Sequence, residues 1–141
     1  MALKAQQSFI EMGDGASPEA FAEVEECSSI TGPDGSANLI NTTHLRSTGK
    51  EYLPGLADFG KISLACNFTG ATQQMLLRTK YATQADPVNY KLQIPDGEGG
   101  FHIFAFAAIV SAWSLSLPTD DKVGLSVTLQ ISGAVAYTAP V

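Results

Sequence analysis

The sequence predicts a mainly β protein with one flanking helix, a long loop and extended terminal arms. Three observations carry that prediction. The strongest hydrophobic periodicity is two: from Lys61 to Thr69, Ile62, Leu64, Cys66 and Phe68 alternate with polar or small residues. The same alternation runs from Val123 to Tyr137, with Leu125, Val127, Leu129 and Ile131 on one face and Ser126, Thr128, Gln130 and Ser132 on the other. Finally, the chain of 141 residues is 45% hydrophobic but only 16% charged. A single domain of that length buries roughly two-thirds of its extended surface, enough for a core without metal or disulfide support. So little charge is unusual for an exposed monomer and predicts that part of the surface is interface.

Taken in order, Ser8 to Met12 and Ala20 to Ile30 flank Gly13-Asp14-Gly15-Ala16-Ser17-Pro18 and predict a first hairpin. Thr31 to Pro54 is rich in Gly, Pro, Asn, Ser and Thr and its apolar residues have no period, which predicts a long loop. A helix is expected over Ala71 to Thr83, with Leu77 and Tyr81 four apart and Asp86-Pro87 as the stop. Tyr90 to Ile94 and the turn from Pro95 to Gly100 lead into Phe101 to Leu117 as a second hairpin. That last run carries no Asp, Glu, Lys or Arg, but its β-branched and aromatic residues, its serines and Pro118 favour a buried strand over a membrane helix. Met1 to Gln7 and Ala134 to Val141 have no clear place in a core and are expected to be arms of the single domain, 1–141.

Several function classes are excluded. The net charge is −6, and the densest basic pairs are Arg46 with Lys50 and Arg78 with Lys80, so no surface grips nucleic acid tightly. The N-terminus lacks an apolar stretch after Lys4, so no secretory leader is expected and the sequons at Asn41 and Asn67 are chance matches. Cys27 and Cys66 are expected to be buried free thiols. His44 and His102 stand in no metal-ligand spacing, and Gly97-Glu98-Gly99-Gly100 lacks the lysine and helix of a phosphate loop. Glu23, Glu25 and Glu26 suggest an acid/base pair only weakly, since nothing nearby raises a carboxyl pKa. No enzyme, metal or cofactor is expected.

A series of segments, in order over most of the chain, resembles the major tail tube proteins of long, non-contractile-tailed bacteriophages. They are Phe9 to Gly15 with Pro18-Glu19-Ala20-Phe21, Val24 to Pro33, Glu51 to Gly60, Asn67-Phe68, Gln74 to Leu77, Ile94 to Gly97, and Asp120-Asp121-Lys122 leading into Val127 to Gly133. The resemblance implies a β-sandwich with a flanking helix, assembled as hexameric rings stacked into a hollow tube through which DNA passes. It further implies assembly in the host cytoplasm, a place in the virion, a tape-measure protein inside the tube and a terminator at its end. On this reading the loop 31–54 contacts the next ring through His44, Arg46, Lys50, Glu51 and Tyr52. The flat face of Ser126, Thr128 and Gln130 packs between subunits. Lumen carboxylates are expected among Asp14, Glu19, Glu23 and Glu25, with Glu23 and Glu25 sharing one strand face. An acidic or neutral lumen would let DNA slide.

Two alternatives remain open. One is the tube of a contractile tail, secretion system or gene-transfer particle, which would share the fold. The other is a soluble β-sandwich binding module, although the only tryptophan, Trp113, lies mid-strand and not in a loop.

Overall fold

The strands predicted from the period-two runs form, and they join into one sheet that rolls over a shared core. The structure is a computed structural model that describes residues 3–16 and 18–140. Met1 and Ala2 of the first arm, Ser17 of the first turn and Val141 of the last arm lie outside the described residues. The elements are β1 (Phe9–Gly13), β2 (Phe21–Glu23), β3 (Cys27–Thr31), β4 (Ser36–Asn41), β5 (Tyr52–Asp58), β6 (Lys61–Asn67), α1 (Thr72–Thr83), β7 (Val88–Pro95), β8 (Phe101–Ser116) and β9 (Gly124–Thr138). Seven strands form an antiparallel sheet in the order β2-β1-β7-β8-β9-β6-β3, while β4 and β5 pair only with each other.

The connectivity requires the large sheet to roll up. β2 and β3 lie at its opposite edges, yet only Val24, Glu25 and Glu26 join them. That link spans at most about 14 Å, whereas the edges of a flat seven-stranded sheet would stand roughly 29 Å apart. The two halves therefore face each other as a sandwich around a common core. Ile10 and Met12 from β1 meet Ile62, Leu64 and Cys66 from β6 in that core, with Tyr90, Leu92, Phe106, Val127 and Leu129 between them. Tyr90 stacks on Phe106 at 5.8 Å, and burial pushes the Tyr90 hydroxyl above its ordinary pKa.

The crossing turn is pinned by one buried amide. Gln74, fully buried on α1, donates from Nε2 to the carbonyls of Glu25 (2.9 Å) and Asn67 (2.8 Å). Its Oε1 accepts from the Thr69 backbone N–H (2.9 Å) and from the Thr69 hydroxyl. One side chain thus ties the β2–β3 turn, the end of β6 and the approach to the helix. The helix packs on β8, and its buried residues are Gln74 and Leu77. The expected partner of Leu77, Tyr81, is exposed instead. Gln84 ends the helix in the left-handed conformation (φ 51°), its N–H reaching the Lys80 and Tyr81 carbonyls.

Three expectations are corrected by the chain's geometry. The segment Ala20 to Ile30 is two strands, because Glu26 turns at φ 53° between β2 and β3. The segment 31–54 is no irregular loop; it holds β4 and the start of β5, whose apolar residues showed no period because they occupy both faces of a hairpin and because the register shifts between Ala37 and Leu39. The arm expected at 134–141 is largely strand: β9 runs to Thr138, with Ala136, Tyr137 and Thr138 opposite Ala105, Phe104 and Ile103. Gly133, at φ +90°, starts a bulge in which three residues of β9 face Phe106 alone, so alternation fades there.

The run 101–117 is a strand, and among the described residues no helix is long and apolar enough to cross a membrane. Its period is hidden by a second bulge. Phe106, Ala108 and Val110 face the core at even positions; the register then slips at Ser111, and Trp113 faces the core opposite Val127. Apolar residues Ile103, Ala105, Ala107 and Ile109 lie on the other face.

Carboxylates hold two of the turns. Asp14 accepts from the Ala16 (2.9 Å) and Ala20 (3.1 Å) N–H groups, and Asp96 from Glu98 (2.7 Å) and Gly100 (3.0 Å). These hydrogen bonds, those from Ala16 and Glu98 foremost, hold both carboxyls below the ordinary aspartate range.

Two predictions follow from this architecture. Gln74→Leu leaves the Glu25 and Asn67 carbonyls and the Thr69 N–H without their partner, and is expected to lower unfolding stability by about 2–4 kcal/mol in urea titration. A loss below the precision of the titration would remove Gln74 from its pinning role. Because both aspartates have depressed folded-state pKa values, their contribution is complete above the unfolded value of about 3.9 and is lost as pH falls through the folded one. Amide resonances of Ala16, Ala20, Glu98 and Gly100 should therefore hold steady down to about pH 4 and shift only below it. Asp14→Asn should abolish the shift at Ala16 and Ala20.

Candidate assembly surfaces

The β4–β5 hairpin is the least buried part of the chain. Leu39 and Pro54 lie opposite each other on one face, Ile40 and Leu53 on the other. Leu39 is 65% exposed, Leu53 55% and Leu56 96%. A two-stranded hairpin in water is marginal, and one that shows apolar side chains on both faces gains no burial from its own folding. Its base is fixed by carboxylate-to-backbone hydrogen bonds, with Asp34 Oδ1 accepting from the Lys61 N–H (2.9 Å) and Asp58 Oδ1 from the Gly60 N–H (2.8 Å).

The hairpin tip gathers several of the residues expected for ring contact. His44 N donates to Ser47 Oγ (3.1 Å), Ser47 Oγ donates to Glu51 Oε2 (2.8 Å), and His44 Nε2 lies 3.6 Å from the same oxygen. Glu51 N donates to Thr43 Oγ1 at 2.8 Å. Arg46 and Lys50 stand exposed on this tip, and Tyr52, exposed at the start of β5, pairs with Asn41. The tip is therefore shaped by its own hydrogen bonds while presenting two cations and several apolar groups outward.

The second surface is the outer face of the rolled sheet. Ser126 and Gln130 are exposed there and Thr128 half-exposed, while their neighbours Leu125, Val127, Leu129 and Ile131 are buried, as the alternation predicts. One cross-sheet row on this face runs Glu23, Glu11, Lys91, Ala105 and Ala136 in direct register. The Lys91 ammonium sits 4.2 Å from the centre of the Phe21 ring, and Gln93 donates to Glu11. Lys61, opposite Gln130, adds a second cation. The face thus joins small polar groups on β6 and β9 to apolar groups on β1, β2 and β8, among them Phe9, Phe21, Ile103 and Ile109, with two carboxylates set against two cations.

The four expected lumen carboxylates do not come together. Glu23 lies on the outer sheet face, but Glu25 is in the crossing turn, so the two share no strand face; the turn at Glu26 ended the strand that would have aligned them. Asp14 and Glu19 sit in the β1–β2 loop, where Glu19 accepts from the Gly15 N–H (3.0 Å) and Asn89 Nδ2 (2.8 Å). Two residues of the outer face went unread, Glu11 and Lys91. Their signal was present: each lies between core residues, Ile10 and Met12 or Tyr90 and Leu92, and so must point the other way. Among the described residues, β9 also has a free edge, since β6 pairs only with Gly124 to Gln130 and leaves Ser132 to Thr138 bonded to β8 alone. Among the described residues, no group of three or more His, Cys, Asp or Glu is placed to hold a metal ion.

The fold has counterparts among solved structures. The tail of an empty gene transfer agent particle, described with six-fold symmetry, superposes with a TM-score of 0.81 at 18% identity, covering 98% of this chain and 100% of that one. A sheath/tube terminator structure of an extracellular contractile injection system gives 0.76 at 16% identity, covering 99% and 98%. The SPP1 tail tube gives 0.73 at 12% identity, covering 96% and 78%. No curated protein sequence matches the chain. The family model described as lambda phage tail tube protein matches residues 8–138. With nearly its whole length matched, the chain belongs to the lambda phage tail tube protein family and is a structural subunit of a virion tail tube.

Proposed function

We propose that the chain assembles into hexameric rings that stack into a hollow tube, and that the tube conducts DNA without gripping it. The observation that carries this reading is the β4–β5 hairpin, apolar on both faces and exposed in the single subunit. Burial against a neighbouring ring gives it the partner surface that its own fold lacks. A head-to-tail contact of this kind repeats without closing, so it builds a filament. The six-fold symmetry of the similar gene transfer agent tail supports the ring number.

Within a ring, the free edge at Ser132 to Thr138 offers backbone groups to the next subunit, and edge pairing around a ring removes an aggregation-prone edge. The outer sheet face then forms the lumen wall, with Ser126, Thr128 and Gln130 beside the subunit boundary. Of the four carboxylates first expected there, Glu23 keeps that place, joined by Glu11 and offset by Lys61 and Lys91. A wall of polar and apolar groups with balanced charge offers phosphates neither a basic track nor strong repulsion. His44, Arg46, Lys50, Glu51 and Tyr52 serve the ring-to-ring contact. The tube performs no catalysis, encloses a tape-measure protein during assembly and ends on a terminator. The arms 1–7 and 134–141, the latter through its strand, complete contacts with neighbouring subunits.

Negative-stain microscopy of the purified chain tests the reading directly. Gly35 and Phe59 are neighbours at the hairpin base, so the hairpin from Ser36 to Asp58 can be excised by joining them. The excised chain is expected to fold as a monomer and form no tubes; tubes at normal yield would show that the hairpin is not the stacking element. The two faces of β9 give a second test. Ile131→Asp, on the core face, should abolish cooperative unfolding. Thr128→Asp should leave the monomer's melting curve intact and reduce tube yield at least tenfold. A folded Ile131→Asp monomer would reverse the assignment of faces.

A further inference from the structure

Cys27 and Cys66 occupy directly opposed positions on β3 and β6, both on the core side of the sheet. Opposed residues of an antiparallel pair have Cα atoms about 4.5–5.5 Å apart, inside the range of about 4.4–6.8 Å that a disulfide bridges. Both cysteines are free thiols here, with their sulfurs 2.6 Å apart. Cys66 is buried, whereas Cys27 is half-exposed and lines a groove between β3, β7 and the N-terminal segment Leu3 to Ser8. One thiol is therefore reachable from solvent and the second waits directly behind it.

We propose that Cys27 and Cys66 form an oxidative modification site, closing to an intramolecular disulfide by exchange with a small-molecule disulfide. The thiolate of Cys27 attacks one sulfur of the oxidant, breaking its S–S bond and releasing one reduced thiol. Cys66, deprotonated, attacks the resulting mixed disulfide at Cys27 and expels the second reduced thiol. The two protons and two electrons lost by the cysteines reside in the two released thiols. The contact between the sulfurs favours one thiolate in the pair: the hydrogen bond from Cys27 lowers the Cys66 thiol from its ordinary value, while the same hydrogen bond and burial raise that of Cys27. Proton transfer across the contact exchanges the two roles.

The bond would close the chain between Cys27 and Cys66, a stretch that carries β3, the whole β4–β5 hairpin and β6. It would thereby lock the base of the exposed hairpin once a particle leaves a reducing cytoplasm for oxidising surroundings. The chemistry belongs to the single subunit and does not depend on tube assembly, so it stands or falls separately from the proposed function.

The test uses the full-length reduced chain incubated with oxidised glutathione, then alkylated with iodoacetamide and examined by intact mass and peptide mapping. The expected product is lighter by two hydrogens, takes no alkyl group, yields a joined Cys27–Cys66 peptide and is restored by dithiothreitol. Its melting temperature should rise by about 10 °C. Cys66→Ser should instead accumulate a stable glutathione adduct at Cys27. A wild-type chain that remains doubly alkylated, keeps glutathione on Cys27, or cross-links between subunits would overturn the proposal.

Discussion

The rest of the structure depends on the short crossing between β2 and β3 and on the amide that holds it. Three residues must carry the chain from one edge of a seven-stranded sheet to the other, so the sheet can exist only in its rolled form. A turn of that kind points backbone carbonyls inward, away from water, and each needs a donor. Gln74 supplies two N–H groups from one side chain, to Glu25 and to the last residue of β6, and its own oxygen is satisfied by Thr69. A hydrophobic residue would pack there but satisfy nothing; a glutamate would lose both donors. The helix thus earns its position less through an apolar stripe than through this polar contact, with Leu77 beside it.

Rolling the sheet divides the molecule cleanly into a face that is finished and surfaces that are not. The core side is closed by the fold itself, since both sheet halves and the helix meet there. The hairpin, the free edge of β9 and the outer sheet face have no such closure within one chain. Their exposure is of different kinds: apolar side chains on the hairpin, backbone groups on the edge, and a charge-balanced mixture of polar and apolar groups on the face. Each calls for a different contact, namely stacking, strand pairing and a wetted wall. The tube proposed above would use all three, which accords with the low charge of the chain.

What was legible in the sequence was the part governed by simple alternation. β6 and the first half of β9 keep one face buried and one exposed without interruption, so Ile62 to Cys66 and Leu125 to Ile131 read correctly, as did the exposed Ser126 and Gln130. The helix ends were legible from local signals. Legibility failed wherever a bulge or a turn broke the period. Ser111 and Gly133 reset the faces of β8 and β9, Glu26 cut one expected strand into two, and the hairpin hid its period by being apolar on both sides. The resemblance of ordered segments still identified the family, because the order of those segments along the chain does not depend on which way side chains point.

Charge was the least legible feature, for a physical reason. The net charge of −6 suggested an acidic face, but many of the carboxylates are engaged one by one in turns. Asp14, Glu19, Asp34, Asp58 and Asp96 each accept backbone N–H groups where the chain reverses, and Asp121 accepts from its neighbour Lys122. Orphan N–H groups in tight turns need an acceptor, which an aspartate offers and a lysine cannot. A β protein with many short reversals and few basic residues therefore becomes acidic through its turns, while the sheet face between them stays balanced, with Glu11 and Glu23 set against Lys61 and Lys91. If that face lines the tube as proposed, its charge is set by which residues alternate outward along the strands, and the chain's overall charge can vary through its turns without altering it.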